Sequence, residues 1–159
     1  MRYRGLLLLV IILGAILVAG CSSSTTPALS DAEKDTAFKT KALTMTQEIS
    51  PLLKDYAAKA KAQDYPGLQT ASTALSTRAR FWHDTLDAMP VSTGMEDSKR
   101  LMLLSLEEAE STGDTTVTAL QRRKSGDISG ATARMQEAGQ HATKSGSYMK
   151  LAKDKLPTG

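Results

Sequence analysis

His83 and His141 are the only imidazoles in the chain, and each has a carboxylate one helical turn away: Asp87 after His83, Glu137 before His141. Such pairs place two metal-capable ligands on one helix face. A carboxylate-bridged di-metal bundle, however, needs Glu-x-x-His on two helices and further glutamates, and no Glu-x-x-His occurs here. The pairs read as surface histidines beside local carboxylates, and no metal is expected. Met45, Met89, Met95, Met102, Met135 and Met149 carry thioethers of the kind that hold copper(I), but they are spread along the chain at core spacing and read as adaptable packing. Glu107, Glu108 and Glu110 form an acidic run whose neighbours point in different directions on a helix, which reads as a solvated face. Arg78, Arg80, Trp82 and His83 are the densest chemical cluster, with Trp82 on a packing seam and the arginines as surface charge; the alternative is that Arg78 and Arg80 flank Trp82 and recognise an anion. No Gly-x-Ser-x-Gly, Walker loop, dinucleotide fingerprint or Cys-x-x-Cys is present, and the many hydroxyls have no placed base. Neither an enzyme nor a bound cofactor is expected.

The segments that carry these residues are helical by period. Phe38, Ala42, Met45, Ile49, Leu52 and Tyr56 recur at alternating steps of four and three, behind a Ser30/Glu33 capping box. This predicts a helix over 31–63 whose seam keeps its phase through Pro51, one kinked helix rather than two. Asp64-Tyr65-Pro66-Gly67 is a turn. Leu68, Ser72, Leu75, Ala79, Trp82, Leu86 and Met89 define a second helix over 66–89, stopped by Pro90. A third, over 94–125, has Thr93 and Glu96 as a capping pair and Met102, Leu103, Leu106, Ala109, Val117 and Leu120 as its apolar side. Residues 111–116 are poor helix formers, and a kink or break is expected there. The fourth, over 128–156, is capped by Asp127, ended by Pro157, and carries Ile128, Ala131, Met135, Ala138, Ala142, Ser145, Met149, Ala152 and Leu156. Aromatic residues are 4% of the chain, too few for a β-sandwich or barrel of this length. The expected fold is all-α, an antiparallel up-down four-helix bundle spanning 30–157. Asp127-Ile128-Ser129-Gly130 echoes the Asp64 turn 63 positions on; with poor flanking identity, the echo reads as shared turn chemistry rather than duplication.

The N-terminus sets the location. Arg2 and Arg4 precede an uncharged, Leu/Ile/Val-rich stretch from Gly5 to Gly20. Its ~24 Å as a helix falls short of the ~30 Å hydrocarbon core, which suits a secretory signal segment over 1–20. Val18-Ala19-Gly20-Cys21 resembles the lipobox of secreted lipoproteins: an aliphatic residue, two small residues, then the chain's one cysteine. The resemblance implies peptidase recognition of Val18, Ala19 and Gly20 and a diacylglyceryl group in thioether linkage to Cys21. Residues 21–29 then form a lipidated Cys and a disordered Ser/Thr tether. The body would stand on the extracytoplasmic face of a membrane, the cell membrane or an outer membrane where one exists, with the lipid as its membrane partner.

The formal charge of +3 does not imply nucleic acid. Without Arg2 and Arg4 the remainder holds 18 basic and 17 acidic residues, with no concentrated basic face. Anchoring does give the bundle a polarity. The turns at Asp64 and Asp127 fall at the pole distant from the membrane and gather Lys59, Lys61, Arg122, Arg123 and Lys124, while Lys150, Lys153 and Lys155 fall near the bilayer. The distal cations, beside the starts of the second and fourth helices, form the expected anion or partner site; the competing account is that cations simply suit helix C-termini. The expected role is a lipid-anchored binding or scaffolding module with an envelope protein as partner. The alternative is a ligand-sensing or solute-capturing bundle that recognises a small anion at the distal pole.

Overall fold

A capping box starts the first helix: the Ser30 hydroxyl accepts from the Glu33 amide (3.3 Å) while the Glu33 carboxylate accepts from the Ser30 amide (2.8 Å). The computed structural model describes residues 28–156. The expected signal segment, Val18, Ala19, Gly20, Cys21, most of the expected tether and Pro157 lie outside the described residues. Four long helices follow: α1 (Asp31–Ala62), α2 (Tyr65–Asp87), α3 (Glu96–Lys124) and α4 (Ile128–Asp154), with a 3-10 turn, Thr93–Met95, leading into α3. Among the described residues there is no strand, and no helix is long and apolar enough to cross a membrane. The protein is an all-α helical bundle.

Three local expectations need correction. α2 ends at Asp87 rather than 89, because the Lys99 ammonium donates to the carbonyls of Asp87 and Met89 (2.7 Å each) and takes over acceptors that another turn would have satisfied. Thr93 and Glu96 form no capping pair; the 3-10 turn enters α3 without a side-chain cap. Residues 111–116 neither break nor interrupt α3, which runs unbroken to Lys124. Tertiary packing overrides their weak propensity: Thr112, Gly113 and Thr116 are buried, and a Cβ on Gly113 would lie 2.4 Å from the Ser72 carbonyl oxygen. Glycine is what lets α2 and α3 approach there. α1 passes through Pro51 as one helix.

The core is built on the predicted seams of α1 and α2, from Phe38 to Tyr56 and from Leu68 to Leu86. α3 adds a buried stripe that hydrophobicity alone hides: Ser98, Ser105, Thr112 and Thr116. Each hydroxyl has a partner. Ser98 donates to the Ala152 carbonyl (2.9 Å), and Ser105 and Ser145 donate to each other's carbonyls (2.8 Å each). Thr112 and Thr116 bond back to their own helix, and Thr116 also meets the Tyr56 hydroxyl at 3.0 Å. Small side chains on both partners, Ala131, Ala138, Ser145 and Ala152 on α4, give α3 and α4 the most extensive backbone approach of the described helices. On α4, Ile128 is not a seam residue. It is half exposed, because it follows the Asp127 cap directly and faces outward from the turn.

Contacts between consecutive helices run in opposite order. Asp35 meets Ser92 and Glu48 meets Arg78; Arg80 meets Glu110 and Lys99 meets Asp87; Ser98 meets Ala152 and Glu108 meets His141.

Candidate functional site

The α1–α2 and α3–α4 turns repeat one hydrogen-bond plan. Asp64 and Asp127 cap their helices by accepting from the amides of Gly67 (3.0 Å) and Gly130 (2.8 Å). Their own amides donate back to Lys59 (3.1 Å) and Arg122 (3.0 Å), five residues earlier. The preceding residues, Gln63 (φ 55°) and Gly126 (φ 89°), are both left-handed. Glycine takes that conformation freely, whereas Gln63 bears a Cβ penalty.

This plan decides what the basic residues can do. Lys59 pairs with the Asp64 carboxylate (3.1 Å) and Arg122 with Asp127 (3.1 Å). The Asp64 contact holds Lys59 above its ordinary lysine value; the Gly67 amide first, and Lys59 second, hold Asp64 below the usual carboxylate value. These two cations are employed by the turns. Arg123 lies over the Tyr65 ring, 4.2 Å from its centroid, and so joins the end of α3 to the start of α2 by a cation–π contact. Among the described residues, no hydrogen bond or ion pair engages the guanidinium of Arg123 or the ammonium groups of Lys61 and Lys124. Arg123 and Lys124 line an open cavity of about 400 Å3 with Tyr65, Pro66, Gln69 and Leu120. The structure thus divides the five expected residues: two neutralised by capping aspartates, three with charge to spare. The sequence named the turn containing Tyr65 but not the stacking, which depends on two segments 58 positions apart.

The histidines have different partners from those expected. His83 contacts Asp84 (3.4 Å) and Glu107 of α3 (3.3 Å) rather than Asp87. His141 Nδ1 lies 2.5 Å from Glu108, whereas Glu137 is 4.0 Å from its other nitrogen. The acidic run is therefore more than a solvated face. Glu107 turns to α2, Glu108 to His141 and Lys144 of α4, and Glu110 to Arg80 of α2 (2.6 Å). No group of three or more His, Cys, Asp or Glu side chains that could hold a metal occurs among the described residues.

Sequence reasoning missed Glu48. Its carboxylate accepts from the Trp82 indole (2.7 Å) and from Arg78 (2.5 Å), and the Trp82 bond, then Arg78, holds it below the ordinary glutamate value. Arg78 also covers the Phe81 ring at 4.6 Å. The signal for Glu48 was weak: one acidic residue beside the buried Ile49, with its partners on another helix.

No protein-family model matches the chain, and neither a curated protein nor a solved structure matches it.

Proposed function

We propose that this chain is a lipid-anchored lipoprotein on the extracytoplasmic face of a membrane, where its helices serve as a non-enzymatic binding or scaffolding module at the cell envelope. The observation that carries this reading is the lipobox-like Val18-Ala19-Gly20-Cys21 at the end of a charge-free apolar stretch behind two arginines. The same reading makes the body an up-down antiparallel four-helix bundle; the opposite running order of contacts between consecutive helices supports it. In that arrangement Leu29 and the C-terminal end of α4 face the membrane, and the Asp64 and Asp127 turns face away.

Mass spectrometry of the protein extracted from membranes tests the anchor. The expected product begins at Cys21 and carries acyl mass on it, and Cys21→Ser leaves a chain with neither cleavage at that site nor acyl mass. An unmodified Cys21 in a cytosolic chain overturns the reading. Cross-linking in intact membranes tests the scaffold role, where a partner-free monomer counts against it.

The second reading is capture of a small anion at the distal pole, favoured by the charge to spare on Lys61, Arg123 and Lys124. A phosphate or polyanion melting screen tests it: the midpoint rises for the native chain and stays put for Arg123→Ala/Lys124→Ala. Arg122→Ala alone is expected to weaken the turn without abolishing such a rise, because Arg122 already serves Asp127.

A further inference from the structure

α3 and α4 close tightly on each other, but α1 and α4 leave a groove between them. The groove holds about 310 Å3, at the small end of ligand pockets, which run from about 300 to 1,000 Å3. Its floor is apolar in effect. Ile49 is buried, Leu53 and Met149 are half-buried, and the two hydroxyls beneath, Ser105 and Ser145, are consumed by each other's carbonyls. Thr46, on the α1 wall, is likewise spent on the Ala42 carbonyl, which leaves Ser50 as the one lining hydroxyl without a hydrogen bond among the described residues, and the lining contains no aromatic surface for stacking. Gly146 lines the groove and is exposed, and a Cβ there would meet nothing within 4 Å, so a larger side chain at this position has open space to enter. Lys150 and Lys153, one turn apart on α4, line the same groove and are exposed. No ion pair engages either lysine among the described residues.

We propose that this groove binds a single-chain aliphatic anion of the fatty-acid type, its alkyl chain along Ile49, Leu53 and Met149 and its carboxylate at Lys150 and Lys153. Ile49, Leu53 and Met149 give the groove an apolar stretch between two helices, and a volume of about 310 Å3 suits one alkyl chain and is too small for a two-chain lipid. The lysine pair at the edge supplies the charge that selects an anionic head over a neutral one. The site stands apart from the distal turns and does not depend on the Cys21 anchor.

Photo-cross-linking of the full-length protein in its membrane tests the proposal, with a diazirine-bearing twelve-carbon carboxylate as the probe and peptide mass spectrometry as the readout. Label is expected on the stretches around Ile49 and Met149, competed by dodecanoate, about fivefold less well by dodecyl maltoside, and not by propanoate. Gly146→Leu fills the groove and replaces a poor helix former with a good one, so the variant should melt no lower than the native chain while labelling falls about tenfold. Lys150→Gln/Lys153→Gln should lower labelling about fivefold, the worth of one partly exposed charge pair, and bring dodecyl maltoside level with dodecanoate as a competitor. Label centred instead on exposed Leu43 or Leu151, or unchanged labelling in a folded Gly146→Leu chain, overturns the proposal. Unacylated Cys21 together with groove labelling would sink the anchor reading and leave this one standing.

Discussion

The α3–α4 interface and the seating of α1 solve the same problem in different ways. Between α3 and α4, Ser98 meets Ala152 and Ser105 meets Ser145, the backbones come close, and hydroxyls bond directly to carbonyls of the facing helix. α1 instead presents Phe38, Met45, Ile49 and Tyr56 and reaches the others through long side chains: Glu48 to Trp82 and Arg78, Asp35 to Ser92, Tyr56 to Thr116. Small residues give close approach and leave no space; large ones bury more area but hold helices apart, and a groove remains where they do not fill the gap. The two regions should therefore fail under opposite changes in side-chain size.

Truncation should hurt α1 most. Phe38 is completely buried, and Phe38→Ala is expected to cost about 4 kcal/mol in urea unfolding; a loss below about 1 kcal/mol would mean that α1 is not part of the cooperative core. Enlargement should hurt close approaches between small residues, of which α2 and α3 make a second one at Gly113. Gly113→Leu forces a side chain against the Ser72 carbonyl and the Ser76 side chain, and overpacking of this kind should cost about 3 kcal/mol. A neutral Gly113→Leu would show that α2 and α3 can separate at little cost and would blur the distinction drawn here. The interface hydroxyls come next. Ser105→Ala removes the bond donated to the Ser145 carbonyl, while the Ser145 hydroxyl still reaches the Ser105 carbonyl, so a loss near 1 kcal/mol is expected by the same unfolding assay.

The smallest effect concerns the ionic link between α1 and α2. Glu48 titrates below its ordinary value of 4.5 in the folded chain. A carboxylate lowered on folding stabilises the protein above its unfolded value, and that stabilisation is lost as pH falls through the folded value. Melting midpoints measured from neutral pH down to about pH 3 should therefore drop on the acid side. In Glu48→Gln the same acid limb should be shallower. Identical acid limbs in the two proteins would remove Glu48 from any role in seating α1.

The seams of α1 and α2 were legible because large apolar residues repeat there at helical spacing. The α1 cap was legible because Ser30 and Glu33 are three apart and need nothing from the rest of the chain. α3 was harder. Met102, Leu106, Ala109 and Leu120 are buried as their spacing predicts, but the same helix also buries Ser98, Ser105, Thr112, Gly113 and Thr116, residues that read as solvent-facing or helix-breaking until a neighbouring backbone is placed beside them. The basic pole was legible as a collection of cations. Its division into engaged and spare charge was not, because Asp64 and Asp127 serve at once as helix caps and as ion-pair partners. The acidic run at Glu107, Glu108 and Glu110 was correctly read as pointing in several directions, but what waited in each direction lay on other helices.

Periodicity, caps and turn chemistry are properties of short stretches, and so the chain's own order of residues determined four helices, their approximate ends, and the two matching aspartate turns. Helix separation, the partners of His83 and His141, the Arg123–Tyr65 stack and the opening between α1 and α4 depend on which side chains meet across tens of residues. Those meetings are set by the volumes packed between helices, a quantity that no local pattern contains, and only the tertiary structure decided them.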